Sequence, residues 1–194
     1  MQPASATSIQ APISLLEKTP AILEILLRDL PEDLLEWKPA TDRWSIFEVL
    51  AHMNVIDGLY KQRAKLIMLE HSPNLPKFVP HSEGDAGQKS TARHLEQFVT
   101  LRRAFVVYLH SIPNAAGSRT GQHYEMGTIT LSEMLHELAN HDLGHLRQIA
   151  GEATGVTSFS ATFAMLEVYH GMPKAHVKPV ARRRRPNALH LCAI

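Results

Sequence analysis

Two stretches of this chain open in the same way, with a hydroxyl residue, a glutamate three positions later, and then a long run of apolar residues at helical spacing. They begin at Ser45-Ile-Phe-Glu48 and at Thr130-Leu-Ser-Glu133. In such a capping box the hydroxyl accepts from the backbone N–H three residues on, while the glutamate reaches back to the cap's own N–H. The pattern predicts long helices over 45–70 and 130–155. An amphipathic helix of that length has to bury its apolar stripe, and the partners available here are other helices.

Two further segments have the same period. Residues 13–30 form an amphipathic run interrupted by Thr19-Pro20, a step that either kinks one helix or starts a second. Residues 91–111 offer Leu95, Phe98, Val99, Phe105, Val106 and Leu109 as a buried side. The connection over 71–89 is rich in proline and glycine, and a segment of that length can run back along a helix of about 26 residues, roughly 39 Å. The loop over 113–129 contains the string GQHYEMGTIT, and 158–170 supports a short fifth helix. No alternating pattern is long enough to support a sheet, and no internal repeat is visible. The expected fold is therefore all-α, with a flexible N-terminus over 1–12, one helical domain over 13–170 and a basic, disordered tail over 171–194.

With 194 residues and 44% hydrophobic content, one domain with a substantial core is expected. A formal charge of +1 gives no global case for nucleic acid. The single cysteine, Cys192, excludes an internal disulfide and fits a reducing compartment, with the cytoplasm as the simplest reading. The first fifteen residues lack the pattern of a signal peptide, and no run approaches the roughly 20 apolar residues of a membrane span, so a soluble protein is expected.

Twelve histidines are spread over the chain, and their positions say more than their number. In His136-Glu-Leu-Ala-Asn-His141-Asp-Leu-Gly-His145, residues four apart lie about 40° from each other on a helix and residues five apart about 140°. His141 and His145 therefore share a face that His136 does not. Leu131, Met134, Leu138 and Ile149 lie within about 80° of that face, so both imidazoles point to the interior. Unpartnered, each buried ring would cost about 1–3 kcal/mol. A divalent cation resolves this, because neutral imidazole is a common ligand for zinc, nickel and related ions. The bland alternative is a hydrogen-bonded core pair. His52 is the candidate third ligand, because Val49, Ile56, Leu59 and Ile67 all fall within about 60° of it. If the helices carrying His52 and His145 are antiparallel, the two lie at similar depth. Three histidines with an open position describe a catalytic rather than a structural site.

At this point the sequence resembles the DinB-like superfamily. The resemblance rests on Trp44-Ser45 followed by Glu48, Leu50 and His52-Met53, then on GTITLSEML, His141-Asp142 and His145-Leu146-Arg147-Gln148-Ile149. It covers about residues 13–155 and implies a four-helix bundle with up-down-down-up topology. It also implies a divalent metal, most often nickel or zinc, on His52, His141 and His145. Some proteins of this kind are thiol-dependent S-transferases or isomerases, in which a low-molecular-weight thiol meets the metal, loses its proton more easily and attacks an electrophile. The function implied is thus a metal-dependent transferase or hydrolase acting on a small molecule, with a non-catalytic, stress-related metal- or ligand-binding protein as the alternative. A homodimer through a helix face is the implied assembly, with neither nucleic acid nor membrane as partner.

Other residues have two readings each. Asp142 either orients a ligand histidine or makes an inter-helix salt bridge. Gln148 and Glu152 share the ligand face and either bond a ligand or pack the bundle end. Trp44 either walls a pocket beside His52 or anchors the core. His123-Tyr124-Glu125 either approaches the open position or is plain surface, and Arg182 to Arg185 read as a solvated charge run.

Overall fold

The computed structural model describes residues 8–41, 43–78 and 90–154. Five helices and one hairpin account for most of them: α1 (Gln10–Leu27), α2 (Glu32–Glu36), α3 (Ile46–Leu69), α4 (Thr91–His110), β1 (Thr120–His123), β2 (Gly127–Thr130) and α5 (Leu131–Thr154), with a 3-10 turn over Asn114–Ser118. Both capping boxes form. Ser45 N–H donates to Glu48 at 2.8 Å while Glu48 N–H donates to the Ser45 hydroxyl at 3.3 Å, and Thr130 and Glu133 repeat the exchange at 2.8 and 3.1 Å.

End-to-end contacts set the directions. The Ser132 hydroxyl donates to the Ser8 carbonyl at 3.0 Å, so α1 and α5 start together. His110 meets Glu17 at 2.6 Å and Asn114, just beyond α4, accepts from Ile9 N–H at 3.0 Å, which puts the end of α4 beside the first half of α1. Arg119, just before the hairpin, donates to the Ile67 and Glu70 carbonyls at 2.7 and 2.8 Å and so brings the end of α3 to the same place. The order is up-down-down-up, and the long connection after α3 joins two parallel helices. No helix among the described residues is long and apolar enough to cross a membrane.

Helix α1 starts and ends three residues earlier than its periodicity suggested. Its first turn is held by Asn114, whose side-chain oxygen accepts from Ile9 N–H at 3.0 Å. Pro20 neither ends the helix nor starts another; α1 runs through it. The missing proline N–H leaves the Leu16 carbonyl without its usual helical donor. That carbonyl accepts from Arg102 instead, at 3.2 Å.

Two elements differ from expectation. The segment between the run over 13–30 and the helix predicted from 45, to which the sequence pattern assigns no helix, contains α2, which buries Leu35. The chain is also not purely helical: β1 and β2 pair antiparallel from Thr120↔Thr130 to His123↔Gly127, and Asn74 bridges to Gln122 beside them. Strands of four residues are too short to carry an alternating signal. Gly127 takes φ 71 at the turn, and a Cβ on Gly121 would lie 2.8 Å from Leu75. The proposed fifth helix over 158–170 and the tail, including Cys192, lie outside the described residues.

The apolar interior forms two clusters. One, toward the hairpin, contains Ile13, Leu16, Ile56, Phe105, Leu109 and Leu138; the other, toward the far end, contains Leu23, Leu50, Met53, Phe98, Leu146 and Ile149. A polar layer of Thr19, Asp57, Arg102 and Asp142, one residue from each long helix, is buried in the same interior.

Candidate metal centre

The seventh residue of α3 and the eleventh and fifteenth of α5 meet near the far end of the bundle. His52 and His141 approach through their Nε2 atoms at 2.9 Å, and His145 Nε2 lies 3.2 Å from His141 Nε2. One ligand atom from each residue lies within 4.8 Å of the others. Three nitrogens bound at about 2.1 Å to a tetrahedral ion would be about 3.4 Å apart, close to the two distances found.

The protonation chemistry argues for a cation at this point. Burial, followed by the neighbouring imidazoles, pushes His52 down to about 3, and burial with His141 pushes His145 down to about 4. Both rings are neutral at pH 7. His145 Nδ1 faces Gln148 Oε1 at 3.3 Å, and the Gln148 amide is oriented by donating to Glu152 at 3.1 Å. The network therefore assigns the proton to His145 Nδ1 and a lone pair to its Nε2. His141 Nε2 faces two other ring nitrogens, yet a ring nitrogen has one in-plane hydrogen or one lone pair. One hydrogen can serve only one of these short contacts, so with His145 Nε2 bearing a lone pair at least one of them has no proton between its nitrogens, an arrangement that a positive ion relieves. The donor set of three imidazoles suits zinc, nickel and related ions.

Aromatic rings border the cluster. Trp44 lies 4.8 Å from His52 and stacks on His145 at 6.4 Å, and Phe78 meets His52 edge-on at 5.6 Å. His145 is 7% exposed, whereas His52 and His141 are part-buried.

The sequence matches the pattern of the DinB superfamily over residues 15–149, which contain all three histidines. The chain belongs to the DinB superfamily. No curated protein matches this member of the superfamily. Among solved structures the DinB-superfamily chain is similar to YfiT from Bacillus subtilis, described as a probable metal-dependent hydrolase with an unusual four-helix bundle topology. The likeness has a TM-score of 0.68 at 19% identity and covers 79% of this chain and 90% of that one.

The remaining candidates are placed as follows. His136 points away, exposed, with Nδ1 2.8 Å from the Ser132 carbonyl. Asp142 makes the inter-helix salt bridge, to Arg102 at 2.5 Å, and its other oxygen lies 3.7 Å from His141 Nδ1. Gln148 bonds His145, and burial raises the Glu152 carboxyl above its usual range. Trp44 lines the site. His123 turns inward and accepts from Glu125 and Met126 N–H at 3.4 Å, while Tyr124 lies under Lys77 at 5.2 Å. Among the described residues the aromatic side chains that meet the three imidazoles are Trp44 and Phe78, not these hairpin residues. Arg182 to Arg185 lie outside the described residues.

Sequence reasoning missed Asp57 and Arg102. Each is 1% exposed, and Arg102 donates to Asp57 at 2.6 Å. A signal was present: Arg102 interrupts the Phe98-Phe105-Leu109 stripe, and Asp57 the Met53-Tyr60-Ala64 stripe. A charged residue at a core position requires a partner from another element.

Proposed function

We propose that this DinB-superfamily protein holds one divalent metal ion, nickel or zinc, on the Nε2 atoms of His52, His141 and His145, and that it is an enzyme acting on a small molecule. The convergence of three imidazole nitrogens on one place, two of them on rings that burial keeps neutral, carries the reading. When bound, the metal supplies Lewis acidity and lowers the pKa of a thiol or water presented to it. The three rings leave a fourth position for that group.

The residues around the position favour a thiol. Trp44 and Phe78 offer aromatic faces, which suit a polarisable sulfur and exclude bulk water better than they serve a strongly hydrated oxyanion. Gln148 holds His145 in the ligating tautomer through its Nδ1 proton. The chain's part is thus to fix ligand geometry and keep the open side dry, and a low-molecular-weight thiol is the proposed co-substrate of an S-transfer to an electrophile.

The test starts with metal analysis of untagged protein, expected to give one equivalent, followed by conjugation of model electrophiles with several thiols. His52→Ala and His141→Ala should each lose the metal and the turnover. Full metal content in both variants overturns the ligand assignment. Metal without turnover of thiols, but with hydrolysis of esters or amides, overturns the thiol and keeps the metal enzyme.

A further inference from the structure

Of the three ring nitrogens that face away from the centre, one has a built partner in Gln148 and one, His141 Nδ1, is buried with no hydrogen bond. Asp142 Oδ1 lies 3.7 Å from it, on a carboxylate that is itself 2% exposed. The other oxygen of that carboxylate is fully engaged. Asp142 Oδ2 accepts from Arg102 Nη1 at 2.5 Å and from the Thr19 hydroxyl at 3.0 Å. Arg102 cannot swing away, because its Nε and Nη2 donate to Asp57 at 2.9 and 2.6 Å and its Nη1 also donates to the Leu16 carbonyl left open by Pro20. Three helices therefore hold a carboxylate on the fourth, with a single oxygen left over beside His141.

We propose that Arg102 and Thr19 make Asp142 a positioning residue that fixes the proton of His141 on Nδ1 and so delivers its Nε2 lone pair to the metal. The inference rests on the metal reading above. An ionised carboxylate oxygen can only accept, so the proton between it and the ring belongs to Nδ1. The clamp adds a direction of failure that a simple loss of charge would not have. In Asp142→Asn the amide oxygen is claimed by Arg102 and Thr19, both donors, and the amide NH2 then faces His141. A donor at that place favours a lone pair on Nδ1 and a proton on Nε2, the tautomer that cannot ligate.

The experiment has two readouts on the full chain. Nitrogen-15 NMR of the histidine rings in metal-free protein at pH 8 should find His141 protonated on Nδ1 in the wild type and on Nε2 in Asp142→Asn. Zinc competition against a chromophoric chelator should show affinity falling by about 10- to 100-fold in Asp142→Asn and less in Thr19→Val. A merely structural role would lower the melting temperature without moving the tautomer. Wild-type His141 protonated on Nε2 overturns the proposal, as does folded Asp142→Asn with wild-type tautomer and affinity. If Asp142→Asn does not fold, unchanged zinc affinity in Thr19→Val overturns it. If the wild type binds no zinc, nickel or other divalent ion, the metal reading fails, and the tautomer measurement still decides the role of Asp142.

Discussion

The interior of this bundle holds two polar clusters that differ in almost every respect. The Arg102 layer pairs a cation with two carboxylates, so each guanidinium nitrogen meets an acceptor. The histidine cluster gathers three groups of one kind, two of them neutral, whose nitrogens face each other. A cluster whose charges are paired within the chain needs no ion from outside. A cluster that points its lone pairs at one place is arranged for something outside the chain. Burial alone does not separate the two, since both are largely enclosed; complementarity does.

Removing a partner should break the comparison where it is strongest. Arg102→Ala leaves two carboxylates buried together and is expected to destabilise the fold by about 3–5 kcal/mol, read as a shift in the urea midpoint. His145→Ala, by contrast, should leave the metal-free fold at least as stable under acid conditions.

Acid should weaken the histidine cluster first. In the unfolded chain an imidazole titrates near 6.5, whereas in the fold His145 is held at about 4 and His52 at about 3. The unfolded state therefore binds more protons between these values. Metal-free protein should keep its full stability above about pH 6.5 and lose it as the pH falls from there toward 4, His145 alone contributing on the order of 3 kcal/mol at most. Urea titrations over that range check the sign, and a metal-free midpoint that does not fall would refute the cluster's neutrality.

Filling the cluster should erase the difference. At a free zinc concentration of 100 times Kd the fold should gain about 2.7 kcal/mol, and His141→Ala should gain none. The smallest effect is expected from Gln148→Ala, which removes one outer hydrogen bond: zinc affinity should fall by about 10-fold or less, with the fold intact.

Much of this was legible in the sequence. The two capping boxes locate α3 and α5, and the 3.6-residue period alone separates His136 from His141 and His145. His52 required more, because its meeting with α5 depends on helix direction, which periodicity does not carry; the family resemblance supplied it. The hairpin was illegible because strands of four residues carry too little pattern. Arg102 and Asp57 were overlooked for a different reason: a stripe is recognised by its apolar members, and the exceptions within it read as noise until their partners on other helices are seen. Pro20 shows the same limit, since a broken hydrogen bond in α1 makes sense only once Arg102 arrives to fill it.

The parallel pairing of α1 with α5 has a consequence in time. Thr19 and Asp142 are 123 residues apart in the chain, and His52 and His141 are 89 apart. A helical bundle is usually a fast folder because its contacts are local, but here the defining contacts close long loops, of 89 and 123 residues. Neither the polar layer nor the histidine cluster can exist until α5 docks. During refolding, far-ultraviolet helicity should therefore return ahead of competence to bind metal, and the ion would report the last step of assembly rather than guide the first.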